Sequence, residues 1–158
     1  MDQDEEKAPP SGSLLSIGQL SRAELEREIG KRVTDRFSLT AVRAALFPRH
    51  QGAMENPDAF ARTQGYCGDL MAFYLRIQDS RIAEITFTTD GCDATMASGE
   101  MLASIVAGIS LENAGRVTPD DVLEALDGLP PNHVHCAELA VSTLRQALAD
   151  YRQGGHAL

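Results

Sequence analysis

Residues 70–89 read LMAFYLRIQDSRIAEITFTT, and the alternation in this stretch decides the fold. From Leu70 to Ile77, the side chains of Met71, Phe73, Leu75 and Ile77 point one way and the intervening residues the other. The Gln78-Asp79-Ser80 turn leads into a second run, Ile82 to Thr89, so the segment is an antiparallel hairpin with one face for a core. Downstream of it, Asp93 is expected to cap a helix running through Val106 and ending at Gly108, and Ser110 to start another short one. Thr118-Pro119-Asp120-Asp121 opens a helix that Gly128 closes. In the last helix Ala137, Ala140, Val141, Leu144, Ala147, Leu148 and Tyr151 keep the 3.6-residue period, so it lays one apolar stripe on the core.

Upstream the signals are shorter. Ser21-Arg-Ala-Glu24 has the form of a capping box, with Leu25, Ile29 and Val33 at helical spacing until about Val33. A second helix is expected from Ser38 to Phe47, where Pro48 stops it. Pro48 to Gly65, with Gly52, Asn56 and Pro57, reads as a long ordered loop. Strands clustered ahead of helices make the class α+β with a small antiparallel β-sheet and a long C-terminal helix, and no internal repeat is evident. The expected division is a disordered acidic tail at 1–13, a helical N-terminal extension at 14–45, the main domain at 46–153, and a flexible C-terminus at 154–158.

The chain has 158 residues, enough for one ordinary domain, and its 43% hydrophobic content is enough for a packed interior. With 14 Lys and Arg against 23 Asp and Glu the net charge is −9, which repels phosphate backbones and anionic lipid headgroups, so neither nucleic acid nor a membrane is expected as a partner. The opening MDQDEEKAPPSGS has no basic or apolar segment of a targeting signal, and the expected location is cytoplasmic.

There are three cysteines, Cys67, Cys92 and Cys136, an odd count that argues against a disulfide framework. Any one of them alone reads as a buried thiol. Each, however, falls at a junction: Cys67 just before a strand, Cys92 between strand and helix, Cys136 where Pro130-Pro131-Asn132-His133-Val134-His135 meets the last helix. Two sit at helix N-termini, where the dipole and unpaired N–H groups are expected to favour thiolates. Asp69 follows Cys67 closely and His135 precedes Cys136. Three sulfurs, an imidazole and a carboxylate form a soft-metal donor set, suited to Zn2+ or to an iron-sulfur cluster with incomplete thiolate ligation. Met96 and Met101 read as core, while His50 and His156 read as solvated. Arg49 reads as an anion-binding group or half of a structural salt bridge.

In these residues the chain resembles the U-type iron-sulfur cluster assembly scaffolds, the family of IscU and the N-terminal domain of NifU. The resemblance runs from about Leu46 to Gln153. It is carried by Pro48-Arg49 with Gly52, Cys67-Gly68-Asp69, Thr89-Asp90-Gly91-Cys92, Leu129-Pro130-Pro131 with His135-Cys136, and Ala147-Leu148-Ala149-Asp150-Tyr151. It implies helices packed on one face of the sheet. It also implies a scaffold that assembles a labile [2Fe-2S] cluster on Cys67, Cys92 and Cys136, with His135 or Asp69 as fourth ligand and Asp69 governing lability. Cys136 is the expected persulfide acceptor. The implied partners are a cysteine desulfurase, an iron or electron donor and apo iron-sulfur acceptors; a homodimer sharing one cluster stays open, and Zn2+ is an alternative occupant of the cluster-free site. Such a protein is an assembly scaffold more than an enzyme.

Two departures stand out within the motifs. Asp93 follows Cys92 where many members have glycine, and His133 stands where many members carry a lysine in the docking segment for an Hsp70-type chaperone, so that partner is not expected. His133 reads as a solvated loop residue or an outer-shell group. The alternative function is a zinc-dependent persulfide acceptor of the SufU type, although the stretch between Cys92 and Cys136 looks too short for the insertion those relatives carry. A metal-stapled interaction module ranks behind both, because a chain of this size needs no staple.

Overall fold

The computed structural model describes residues 21, 23–27, 37–65 and 67–154. The acidic tail at 1–13, the end of the helix expected to reach Val33, and all but residue 154 of the flexible C-terminus lie outside the described residues. At the start of that helix the capping box is present: Glu24 N–H donates to Ser21 Oγ at 3.1 Å, and Ser21 N–H to Glu24 Oε2 at 3.0 Å.

The hairpin comprises β2 (Leu70–Gln78) and β3 (Arg81–Thr89), joined through Asp79 and Ser80, both with positive φ as a two-residue type I′ turn requires. The ladder slips between Arg76 and Ile77, pairing Arg76 with Glu84 and Ile77 with Ile82 and leaving Ala83 as a bulge. The bulge changes the parity of β3, so Ile82 and Ile85, which strict alternation would send to opposite faces, are both buried.

A third strand, β1 (Ala59–Gln64), pairs antiparallel with β2, giving the sheet order β1-β2-β3. This corrects the expected loop over Pro48–Gly65. The inward residues of β1 are Ala59, Ala61 and Thr63, too small to give an apolar alternation signal. Small residues are needed there because the last helix lies directly over the strand, with Thr63 Oγ1 bonded to Thr143 Oγ1.

The helices are α1 (Leu39–Leu46), α2 (Asp93–Val106), α3 (Leu111–Ala114), α4 (Pro119–Ala125) and α5 (His135–Arg152), with a 3-10 turn at Pro131–His133. Helices begin at Ser38, Ser110 and Thr118 as expected: Ser38 caps α1, Ser110 caps α3, and Thr118 with Asp121 forms a capping box on α4. Gly128, at φ +88°, closes α4 by donating its N–H to Leu123 O at 2.7 Å. For α2 the cap differs from expectation: Cys92 is the N-cap, and Asp93 lies one residue inside, where its charge faces the positive end of the helix dipole.

α5 packs on β1 and β2, α2 packs on β3, and α1 lies against α2. Phe73, Phe87, Met71, Leu75, Leu102, Leu144 and Leu148 fill the layer between sheet and helices, with Met96 and Met101 packed at its margin. Gly99 lets α2 approach this closely, since a Cβ there would stand 2.7 Å from two Phe87 ring carbons and 3.2 Å from Met71 Cε. Overpacking costs about 1–3 kcal/mol and the helix-propensity gain of alanine returns about 1. Gly99→Ala is therefore expected to lower the melting temperature of the metal-free protein by a few degrees. A thermal melt with no decrease would show that the Phe87 ring yields freely.

Candidate metal centre

The hairpin register sets the site. Because β2 and β3 are antiparallel, the start of one lies beside the end of the other, as Met71 opposite Thr89 shows. Cys67, just before β2, and Cys92, just after β3, are thereby brought to the same end of the sheet. Cys67 lies on a tight β1–β2 turn in which Gly68 has φ +96° and Gly65 N–H donates to Asp69 O at 2.8 Å. Leu70 N–H donates to Asp90 Oδ1 at 2.8 Å and Thr89 Oγ1 donates to Leu70 O at 2.6 Å, locking the two junctions together. The third thiol comes from the first turn of α5, which lies over β1 and β2.

Thr95 links these parts, and it is a residue the sequence reading passed over. Three positions after Cys92, it lies on the same face of α2 and is completely buried. Its Oγ1 donates to Asp69 Oδ2 at 2.7 Å and stands 3.3 Å from Cys136 Sγ and 3.7 Å from Cys92 Sγ. A hydroxyl carries one proton, so it serves Asp69 and Cys136 alternately, with the shorter bond to the carboxylate. Asp69 passes over Gly91, where a Cβ would come within 2.6 Å of Oδ2 and 2.7 Å of Thr95 Cβ. The glycine before Cys92 is thus required by close approach of the carboxylate.

Cys67 and Cys92 are exposed and Cys136 is 1% exposed. Burial pushes the Cys136 thiol up to about 12; the Thr95 bond offsets part of this, and negative charge at Cys92, Asp69 and Cys67 adds to it. This corrects the expectation of a helix-stabilised thiolate at Cys136, because desolvation outweighs the dipole. A bound cation is what would turn this group into a thiolate ligand.

Among the described residues, one group of donors lies close enough to hold an ion: Cys92, His133 and Cys136, with one donor atom from each mutually within 4.8 Å. His135, the expected imidazole, stands outside this group, with Nε2 at 3.9 Å from Cys136 Sγ. Asp69 reaches the thiols through Thr95, and Cys67 is exposed and near enough for its charge to act on Cys136. His50, expected to be solvated, instead bonds through Nδ1 to Glu100 Oε2 at 2.9 Å, away from the centre. Arg49 meets the same carboxylate through its backbone N–H. No helix among the described residues is long and apolar enough to cross a membrane.

The family described as NifU-like N terminal domain matches residues 39–156. Iron-sulfur cluster assembly scaffold protein IscU 1 of Archaeoglobus fulgidus is 41% identical over 105 residues, covering 66% of this chain and 69% of that protein. The scaffold protein IscU of Aquifex aeolicus is 32% identical over 127 residues, covering 78% and 76%. Among solved structures, the N-terminal part of a nitrogen-fixing NifU-like protein from Brucella abortus superposes with a TM-score of 0.62 at 17% identity, over 77% of this chain and 98% of that one.

Proposed function

The chain belongs to the NifU-like N-terminal domain family, and from that premise we propose that it is a scaffold for assembling a labile iron-sulfur cluster and passing it on. The cluster is [2Fe-2S], its sulfur comes as persulfide from a cysteine desulfurase, its electrons or iron come from a donor protein, and apo-proteins accept the product. Cys67, Cys92 and Cys136 bind the irons, His135 or Asp69 adds the remaining ligand, and Cys136 accepts persulfide sulfur. The scaffold unit is 46–153, with α1 packed against it, and the protein works in the cytoplasm.

The observation that carries this reading is the convergence of two thiols, Cys92 and Cys136, from two different junctions on one buried hydroxyl that also holds the Asp69 carboxylate, with Cys67 near enough for its charge to act on Cys136. A structural thiol needs no such company. A permanent site is best made of thiolates alone, whereas a set mixing exposed thiols, imidazole and carboxylate suits cargo that must leave.

The test is anaerobic reconstitution with Fe2+ and sulfide, followed by iron, zinc and acid-labile sulfide per chain and the visible spectrum. Iron and sulfide in equal amounts are expected. Asp69→Ala, which removes the carboxylate that Thr95 holds beside the thiols, is expected to retain the cluster several-fold longer on exposure to an acceptor or chelator. Stoichiometric zinc without sulfide, with sulfur accepted and no cluster formed, would overturn the scaffold reading in favour of a zinc-dependent persulfide acceptor.

A further inference from the structure

We propose that Cys92, His133 and Cys136 bind a single divalent transition-metal ion, Fe2+ or Zn2+, with the His133 imidazole as its nitrogen ligand. The inference rests on the reading of this end of the fold as a metal centre and names the histidine that completes it. His133 has a donor nitrogen within 4.8 Å of both sulfurs, while His135, the neighbour of Cys136 in sequence, does not join them. His135 Nε2 comes to 3.9 Å from Cys136 Sγ but is not among the donors that close on Cys92 as well. His133 lies ahead of the helix, on the 3-10 turn, and its ring reaches both sulfurs.

The turn is built to hold the imidazole in place. Pro130 and Pro131 restrict the backbone, and His133 N–H donates to Pro130 O at 2.8 Å. The imidazole packs against Phe37 in a tilted contact, with ring centroids 5.7 Å apart and planes 33° apart, and stacks on the His135 ring at 6.5 Å. Phe37 is itself anchored, because the next residue, Ser38, caps α1 and donates through Oγ to Leu126 O, while Thr40 Oγ1 donates to Asp127 Oδ2 at 2.8 Å. The N-terminal flank of the domain therefore orients a ring at the centre, as outer-shell groups commonly do for ligating histidines.

The donor set fits the ion. Metal–sulfur distances near 2.3 Å and metal–nitrogen distances near 2.0–2.1 Å in a tetrahedral site bring donors to roughly 3.5–3.8 Å from one another. The present separations allow this with a modest rotation of the exposed Cys92. Two sulfurs and one nitrogen leave the fourth position open, the arrangement of a site that exchanges or loads a ligand. His135 Nε2, 3.9 Å from Cys136 Sγ, and Asp69, held by Thr95, are protein groups beside this donor set. A half-buried imidazole beside one buried and one exposed thiol gives the ion a solvent-facing side through which it can enter and leave.

The experiment is an anaerobic Co2+ titration of the metal-stripped protein, read by the ligand-field and sulfur-to-metal charge-transfer bands. Wild type and His135→Ala are expected to give the same tetrahedral spectrum. His133→Ala and His133→Lys are expected to shift the ligand-field bands and weaken binding by at least the roughly 10–100-fold that loss of an outer-shell partner brings. Phe37→Ala keeps the wild-type bands with weaker binding. Far-UV circular dichroism of each metal-free variant separates lost ligation from lost fold. X-ray absorption of the zinc-loaded wild type and of His135→Ala decides independently of any His133 variant. One imidazole persisting in His135→Ala supports the assignment; an imidazole absent from wild type, or lost in His135→Ala, overturns it, as does an unchanged Co2+ spectrum in a folded His133→Ala. Failure of the scaffold reading shows separately, as the absence of sulfide in the reconstituted protein, and leaves the Co2+ result standing.

Discussion

Cys136→Ala is expected to give a folded protein that assembles no cluster. Cys136 is the buried member of the donor group, in contact with Thr95 and within reach of both Cys92 and His133. Solvent has no path to substitute for its sulfur, so the loss exceeds the roughly 10–100-fold expected from an outer-shell change. The fold survives because deleting one buried sulfur costs about 1 kcal/mol, the scale of a single buried methylene. Desolvation of the vacated position favours alanine over serine, whose hydroxyl would be placed beside Thr95 and compete for its proton. Cys67→Ala, at an exposed turn outside the group of three donors, is expected to slow assembly and reduce yield with some cluster still forming. Iron and acid-labile sulfide per chain after reconstitution, with far-UV circular dichroism as the control for folding, give the comparison. A wild-type yield from folded Cys136→Ala would make this thiol part of the core alone.

The elements legible in the sequence were those whose signal is local. The hairpin, with the turn one residue shorter than the expected Gln78-Asp79-Ser80, the alternation of Met71, Phe73, Leu75 and Ile77, and the helix starts at Ser38, Ser110 and Thr118 depend on neighbours in the chain and lie where those residues indicate. β1 was hidden because its inward positions are alanine and threonine. Their size is dictated by α5, a partner more than 70 positions away, as the Thr63–Thr143 bond illustrates. The Ala83 bulge was hidden for the same kind of reason, since it is set by which side chains the core accepts.

At the site, the junction positions singled out the three thiols, whereas Asp69 reads as ordinary turn chemistry by residue type and is singled out only by the family resemblance. That Cys67 and Cys92 share one end of the sheet also follows from the hairpin, as both stand equally far from its turn. The buried state of Cys136 was not legible, since the helix start suggests exposure and only the packing of α5 on the sheet removes it. Thr95 had a usable signal in its i, i+3 relation to Cys92. His133 had none that distinguished it from His135, because the choice depends on where the 3-10 turn carries the ring. His50 likewise reads as a surface histidine until α2 supplies Glu100.

Glu100→Ala is expected to cost about 3 kcal/mol of stability, on the scale of losing a large core side chain. Glu100 is a carboxylate 5% exposed on α2. Its Oε1 accepts from Arg49 N–H and His50 N–H, both at 2.9 Å, and its Oε2 meets His50 Nδ1 at 2.9 Å. The segment it holds runs along the open edge of β3: Phe87 N–H donates to His50 O at 2.9 Å and Gly52 N–H to Phe87 O at 2.7 Å. The carboxylate is thus the clamp by which Pro48-Arg49-His50 covers a strand edge that would otherwise offer unpaired groups. Alanine leaves two part-buried backbone donors without an acceptor, at about 1 kcal/mol each, and removes the His50 partner as well. Glu100→Gln keeps a carbonyl oxygen for the two N–H groups and is expected to lose about 1 kcal/mol, consistent with replacing a charged acceptor by a neutral one. At roughly 2–4 °C per kcal/mol for a chain of this size, the alanine variant melts about 6–12 °C lower. Because no ligand of the metal centre lies on the clamped segment, both variants are expected to bind Co2+ as wild type does below their melting temperatures. Equal losses for alanine and glutamine would assign the stabilisation to the His50 pair, and wild-type stability in both would assign it to the His50–Phe87 and Gly52–Phe87 backbone bonds.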